Sequence, residues 1–371
     1  MSNILINATN IKVGGGLQVA CATIVEFLNM ENEDDFIFAI STPIFKQIGD
    51  HLKDKNANYE IIDFKIKGLV SIFLCRKKLN DLIDNFNVSK VFSIFGPSFW
   101  NPKHGVSHLV GFANAWLVTP YDDKVYRHYK LSDRIRMTIK HIMLSKLLFH
   151  KDNVYVTETE VVNRKFREKF KHDEIYTVCN TLNPVYDFND NNPPIDDLLK
   201  INKIKLITIA QNYPHKNLNV ISSVGDILKK KGYSVVFIVT MEEKEYEAQT
   251  KEFKEFTLNV GVLDLKDCPR YYASCDALFL PTLIECFTAS YLEAMSLKLP
   301  IITSDLDFAR FICQDSAYYF DPYSPTSIAD AIVRFINDDS SYLIEKYDVI
   351  LSRFGNNKQR AQHYYKILEK I

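Results

Sequence analysis

The sequence has no apolar run approaching the ~20 residues that a membrane-spanning helix requires. No segment is therefore expected to cross a bilayer. Its seven cysteines, Cys21, Cys75, Cys179, Cys268, Cys275, Cys286 and Cys313, are scattered, odd in number and never spaced as Cys-x-x-Cys. That excludes the usual patterns of a disulfide framework and of a zinc site, and reduced cytoplasmic thiols are the expectation. The first ten residues, MSNILINATN, lack a basic n-region and read as a strand instead of a signal peptide. Neither sign of charge is in excess. A formal net charge of -1 leaves no global field to favour nucleic acid, and charge matters only where it clusters. A Gly-x-Gly-x-x-Gly fingerprint is also missing, which disfavours a nicotinamide-dependent oxidoreductase. Asp305-Leu306-Asp307 has the letters of an Asp-x-Asp metal motif but closes a strand, so no metal and no cofactor is expected.

What is present suffices for two domains. The chain has 371 residues, 47% of them hydrophobic, more than one domain commonly holds. In the second half, short apolar runs recur at 203–210, 233–240, 258–263, 277–281, 300–304 and 317–321. Amphipathic stretches at 218–231, 288–297 and 325–337 lie between them. That alternation predicts βαβ units and a parallel, doubly wound α/β sheet. The first half is of the same kind but less regular, with strand candidates at 3–8, 36–41, 59–64, 90–95, 108–112 and 153–157. Between the halves, the Asn/Asp/Pro-rich run 187–197 has no hydrophobic period. We therefore read an N-terminal domain at 1–186, a linker at 187–202 and a second domain at 203–340. A terminal helix at 357–371 is expected to return to the first domain.

The most informative segment is 280–304, LPTLIECFTASYLEAMSLKLPIITS. A strand ends near Pro281, at the carboxyl edge where open α/β sheets bind ligands. Glu285 sits in the turn before a helix that starts near Thr288, and Glu293 follows eight residues later on that helix. Backbone N–H groups of Phe287, Thr288 and Ala289 at the helix start suit a diphosphate. The two carboxylates suit hydroxyls on either side of it. Two solvated helix charges would be the bland alternative. A second motif lies at the next strand-to-helix junction, Gln211-Asn212-Tyr213-Pro214-His215-Lys216-Asn217, where the Lys216 ammonium could neutralise a leaving diphosphate.

These two stretches resemble the signature of the retaining glycosyltransferases of GT-B architecture, family 4, also called glycosyl transferases group 1. The pattern Glu-x7-Glu, then Glu-Ala-Met, a small loop, Pro and an apolar strand stands here in order. The resemblance implies two Rossmann-like doubly wound domains facing a central cleft. It assigns Glu285 to the donor sugar, Glu293 to the nucleotide ribose and Lys216 to the diphosphate, with Asn212 nearby. It implies that the donor phosphate itself deprotonates the acceptor. This chain departs from the family with Cys286, Thr288 and Lys298 where glycines are common, and with Gln211 and Asn212 where an arginine often stands.

In the N-terminal domain, Gly14-Gly15-Gly16 follows the first strand, where relatives carry a glycine-rich loop facing the donor; a bare tight turn fits as well. Where relatives end a strand with a histidine near the sugar, this chain has Asn114, with Trp116 as a candidate apolar wall on the acceptor side. The stretch 124–151 holds eight lysines and arginines against the single Asp133. Its Leu131, Ile135, Ile139, Ile142, Met143 and Phe149 recur at helical spacing. It reads equally as a surface for anionic lipid or acceptor diphosphate, or as a helix with these residues in the core and a solvated basic face.

The reading is a metal-independent hexosyltransferase that takes a nucleotide-sugar donor and a glycan or lipid-linked glycan acceptor, in surface-polysaccharide assembly. Its place is the cytoplasm, peripheral to the inner face of the membrane. A nucleotide-sugar epimerase of the same architecture and a non-catalytic nucleotide-sugar-binding protein stay open as alternatives.

Overall fold

The computed structural model of this chain describes residues 2–32, 34–63, 69–96, 100–121, 123–127, 129–186 and 193–371. The chain divides into two compact units, Met1–Thr181 with Asn356–Ile371, and Leu182–Gly355.

Unit 1 is built on seven strands: β1 Asn3–Ala8, β2 Asp35–Ile40, β3 Asn58–Ile61, β4 Val88–Gly96, β5 Ser107–Phe112, β6 Val154–Thr157 and β7 Ile175–Thr177. All pair in parallel in the order β3-β2-β1-β4-β5-β6-β7. Alternation along β1 explains how both faces are covered. Ile4 and Ile6 point into a core shared with helix Gly14–Leu28 and helix Thr42–Asp54, while Leu5 points into a second core with helix Leu69–Asn85. The sheet order reverses between β1 and β4, the switch point of a doubly wound sheet. β7 escaped the sequence pattern, because three residues carry no measurable period.

Gly111 on β5 is required by packing. A Cβ there would lie 1.8 Å from the backbone oxygen of Ile94, where β4 shifts register between Ser93 and Gly96. The helix Asn357–Lys370 belongs to this unit and sends Tyr364, Ile367 and Leu368 into the first core. It opens with a capping box of Asn356 and Gln359.

Unit 2 repeats the plan with β8 Ile204–Thr208, β9 Val235–Val239, β10 Thr257–Asn259, β11 Ala277–Leu280, β12 Ile301–Ser304 and β13 Tyr318–Phe320. Its order, β10-β9-β8-β11-β12-β13, is again all parallel. Fully buried strands such as VVFIV of β9 match a sheet covered on both faces.

The expected boundaries need correction. The chain leaves unit 1 between Thr181 and Leu182, ahead of the 187–202 run. Of that run, 187–192 lie outside the described residues, and the rest is anchored within unit 2. Arg270 Nε donates to the Pro193 carbonyl at 2.8 Å, and Ile195 N donates to Ser274 Oγ at 2.7 Å. A run of polar composition need not coincide with the crossing point. Nor does the second unit end at 340. Helices Ser341–Ile344 and Tyr347–Ser352 extend it, and the Tyr347 hydroxyl donates to the Leu299 carbonyl at 3.3 Å. No helix among the described residues is long and apolar enough to cross a membrane.

Candidate active site

The second sheet has its switch point between β8 and β11, and the loops leaving these two strands meet there. After β8 the chain forms a 3-10 turn, Pro214–Lys216, with proline at its start. Asn217 then adopts a left-handed conformation, φ 58°, and its side-chain amide donates to the Pro322 carbonyl at 3.0 Å. Asparagine tolerates that region better than most residues, so the turn is sharp without a glycine. After β11, Leu283 N donates to the His215 carbonyl at 2.8 Å and ties the two loops together. His215 stacks on Tyr213, with ring centroids 5.6 Å apart. Burial holds its imidazole below the usual range, with Glu285 opposing the shift.

This frame brings Lys216 and Glu285 into direct contact, Nζ to Oε1 at 2.5 Å. Their side chains are only 18% and 17% exposed. Such a pair loses much of its hydration, so the mutual attraction roughly offsets the desolvation cost. Its value is positional. A cation and an anion are held side by side at a sheet edge, one suited to phosphate oxygens and the other to hydroxyls. Asn212 lies half-buried in the same loop as Lys216.

From Glu285 the chain passes through buried Cys286 and Phe287, whose ring meets Phe354 edge-on at 5.7 Å. The helix then runs Ala289–Ser296, with Thr288 at its N-cap. Thr288 caps nothing. Its side chain makes no capping bond, and its buried Oγ1 has no hydrogen-bond partner among the described residues. An N-cap threonine ordinarily satisfies one of the free N–H groups of the first turn. The Tyr291 N–H turns back to the Thr288 carbonyl at 3.3 Å, so the N–H groups of Ala289 and Ser290 are the ones at the helix start that a ligand could take, beside a buried hydroxyl without a partner among the described residues. Both are what an anion at a helix N-terminus takes.

Glu293 occupies the middle of this helix, half-buried. Its Oε2 accepts from the Tyr272 hydroxyl at 2.9 Å, and the Tyr186 hydroxyl donates to it as well. Burial pushes the carboxyl up to about 7, while the two tyrosine bonds oppose that shift. Tyr186 and Tyr272 were invisible to motif reasoning, since each comes from a distant segment and neither carries a pattern of its own. Lys298, where the resembling family has glycine, keeps a glycine-like φ of 56° and pairs with Asp348.

In the Asp305-Leu306-Asp307 run, Asp305 is paired within unit 2. The Asp305 carboxylate takes two bonds from Arg310, at 2.6 and 2.8 Å, and Arg310 stacks on the Tyr319 ring. No group of three or more metal-ligating side chains occurs among the described residues.

In unit 1, taken by itself, the helix Gly14–Leu28 starts at the switch-point edge of β1. Gly14 has φ 71°, and Gly15 has open space where a Cβ would stand. Gly16 faces the Phe95 ring at 3.6 Å. Asn114 follows β5, and its buried Oδ1 has no partner among the described residues. Trp116, the expected acceptor wall, packs among aromatic side chains of unit 1. Its ring stacks on His141 with centroids 5.6 Å apart and meets Tyr126 edge-on at 5.3 Å. It is thereby engaged in anchoring the helix Leu131–Leu148.

Two doubly wound parallel domains, the second with a Lys–Glu pair and an open helix N-terminus at its switch point, have the GT-B class of fold. Residues 195–350 match the family described as Glycosyl transferases group 1. No curated protein matches the sequence. Among solved structures, a glycosyltransferase from Rickettsia africae superposes with TM-score 0.69 at 13% identity, covering 100% of this chain and 98% of that one. Sucrose-phosphate synthase from Thermosynechococcus elongatus gives 0.73 at 10%, covering 100% and 99%. HepE from Anabaena, in complex with UDP-glucose, gives 0.69 at 11% identity and covers 100% of both chains. At these identities the likeness is one of fold.

Proposed function

We propose that this chain is a retaining, metal-independent hexosyltransferase, drawing on a nucleoside-diphosphate sugar and serving a glycan or lipid-linked glycan acceptor in surface-polysaccharide assembly. The observation that carries the reading is the Lys216–Glu285 pair beside the uncapped N-terminus at Thr288. The diphosphate occupies the first turn of helix Ala289–Ser296, where N–H groups and the helix dipole favour negative charge. Lys216 reaches its oxygens from the neighbouring loop, and Glu285 accepts from hydroxyls of the sugar. Glu293 accepts from the ribose. As the bond from C1 to the diphosphate breaks, charge moves onto the leaving oxygens, where Lys216 and the helix terminus stabilise it. The acceptor oxygen bonds to C1 on the same face, and its proton passes to the departing phosphate oxygen. HepE is solved with UDP and with UDP-glucose, which supports a uridine donor as the first to try.

Isothermal titration of UDP in excess chelator tests the binding step, with micromolar affinity expected. Binding that vanishes in chelator and returns with magnesium overturns the metal-independent reading. Transfer from UDP-glucose to a glycan acceptor, with the anomeric proton followed by NMR, tests retention.

A further inference from the structure

The helix Leu131–Leu148 is apolar on two sides. Its inward side is accounted for. His141 stacks on Trp116, and Leu144 and Leu148 line a small apolar cavity with Phe112 and Phe166. Of the residues whose spacing suggested a core face, all but Phe149 are on the other side. Leu131, Ile135, Ile139 and Met143 are 69, 52, 55 and 56% exposed. They recur every four residues and form one stripe along the helix. With Ile142, this helix carries five of the fifteen large hydrophobic side chains left exposed among the described residues. That concentration is a patch, and patches of this kind mark interaction surfaces.

The charge around the stripe selects the occupant. Arg136, Lys140 and Lys146 are exposed on the same helix, and 124–151 holds eight cations against one aspartate in a chain of net charge -1. A second copy would bring these cations against their own kind, and protein interfaces are poor in lysine. An anionic lipid surface meets both features, headgroups taking the cations and acyl chains taking the stripe. We propose that this helix docks the chain on anionic membrane, lying in the headgroup plane with Leu131, Ile135, Ile139 and Met143 inward to the lipid. Lysine and arginine stems cover the apolar edge while their charged ends stay among the headgroups. The inference rests on unit 1 alone and stands apart from the proposed chemistry.

Co-sedimentation of the full chain with vesicles tests it, using phosphatidylcholine alone and phosphatidylcholine doped with phosphatidylglycerol. Binding is expected only with the anionic lipid and should weaken as salt rises. Arg136→Glu with Lys140→Glu and Lys146→Glu should weaken it more than about tenfold, since each cation near an anionic surface adds several-fold. Ile135→Gln with Ile139→Gln and Met143→Gln should do the same without lowering the melting temperature, because these side chains are exposed. UDP affinity should be unchanged in both. Equal partition onto the two vesicle types, or loss of neither interaction in the apolar variant, overturns the proposal. So does a chain that self-associates in sedimentation velocity and becomes monomeric on the apolar substitutions, which would assign the stripe to a second copy.

Discussion

At the scale of single residues, the two glutamates of the motif live in opposite environments. Glu285 is held by a cation, whereas Glu293 is enclosed with two tyrosine hydroxyls. Removing Glu285 releases Lys216, so Glu285→Ala should keep or strengthen UDP affinity while turnover falls at least about tenfold, the cost of one charged hydrogen bond. Lys216→Ala should weaken UDP binding. Calorimetry beside donor turnover checks both, and UDP affinity lost in Glu285→Ala would sink the assignment. Glu293 adds a pH signature. Its folded-state value of about 7 lies above the ordinary carboxylate value, so its contribution to stability is present at acid pH and lost as pH rises through about 7. Glu293→Gln should therefore stabilise the chain at pH 8, by about 3 kcal/mol, and change it far less at pH 5. Urea unfolding at the two pH values reads this out. If the ionised form serves the ribose, UDP affinity of the parent should also fall as pH drops below about 7, and Glu293→Gln should flatten that dependence. The spacing of Glu285 and Glu293 was legible because it lies in one continuous segment. The contact of Glu285 with Lys216 joins loops 69 residues apart, and Tyr186 and Tyr272 reach Glu293 only through the fold.

At the scale of elements, strands buried on both faces announce themselves by composition, and twelve of the thirteen stood near where the apolar runs placed them. What composition could not convey is which face a helix presents. In Leu131–Leu148 both faces are apolar, so periodicity alone could not say that Leu131 and Ile135 point outward while His141 and Leu148 point inward. Packing constraints are likewise silent in one sequence. Gly111→Ala should lower stability by several kcal/mol or prevent folding, because the added Cβ meets backbone that cannot move aside. Soluble yield and melting temperature give the answer, and a variant as stable as the parent would contradict the close approach of β5 to β4. The returning helix Asn357–Lys370 rests on a polar clasp as well as on its apolar face. Arg360, 3% exposed, donates to Asn180 Oδ1 at 3.2 Å, Thr23 Oγ1 at 3.2 Å and the Val19 carbonyl at 3.4 Å. Asn180 in turn donates to the buried Glu158. Arg360→Ala should cost about 3 kcal/mol by leaving buried acceptors and Glu158 uncompensated, whereas exposed Lys366→Ala should cost nothing measurable. Urea midpoints for the two variants separate a clasp from mere surface charge.

At the scale of the whole molecule, the two units place their buried titratable groups with opposite consequences for acid stability. Two of the buried histidines of unit 1, His108 and His141, are held in neutral form. His108 lies between Ser93 and Asn101, with ring nitrogens 2.9 and 3.0 Å from their side-chain oxygens, and burial pushes it down to about 3. His141 is bonded to the Tyr126 hydroxyl at 2.9 Å, and burial, with Lys140 and Lys169 adding to it, pushes it down to about 4. Both folded-state values lie below the ordinary 6.5 of histidine. The unfolded chain therefore binds more protons in this range, and the stability these groups contribute is full above pH 6.5 and lost as pH falls toward 4. Each histidine is worth at most about 1.4 kcal/mol per pH unit in that window, so together they can remove about 4 kcal/mol between pH 6.5 and 5. Unit 2 carries Glu293, whose raised value works the other way over the same interval and opposes the lowered His215. Acidification should therefore loosen unit 1 before unit 2. Scanning calorimetry from pH 7.5 to pH 5 is expected to split one broad transition into two, the lower moving down with pH. Hydrogen exchange should place the early opening in unit 1. His108→Gln with His141→Gln should flatten that slope, whatever the variant's stability at neutral pH. Two transitions that fall in parallel, or an unchanged slope in the double variant, would show that these buried imidazoles do not govern the acid response.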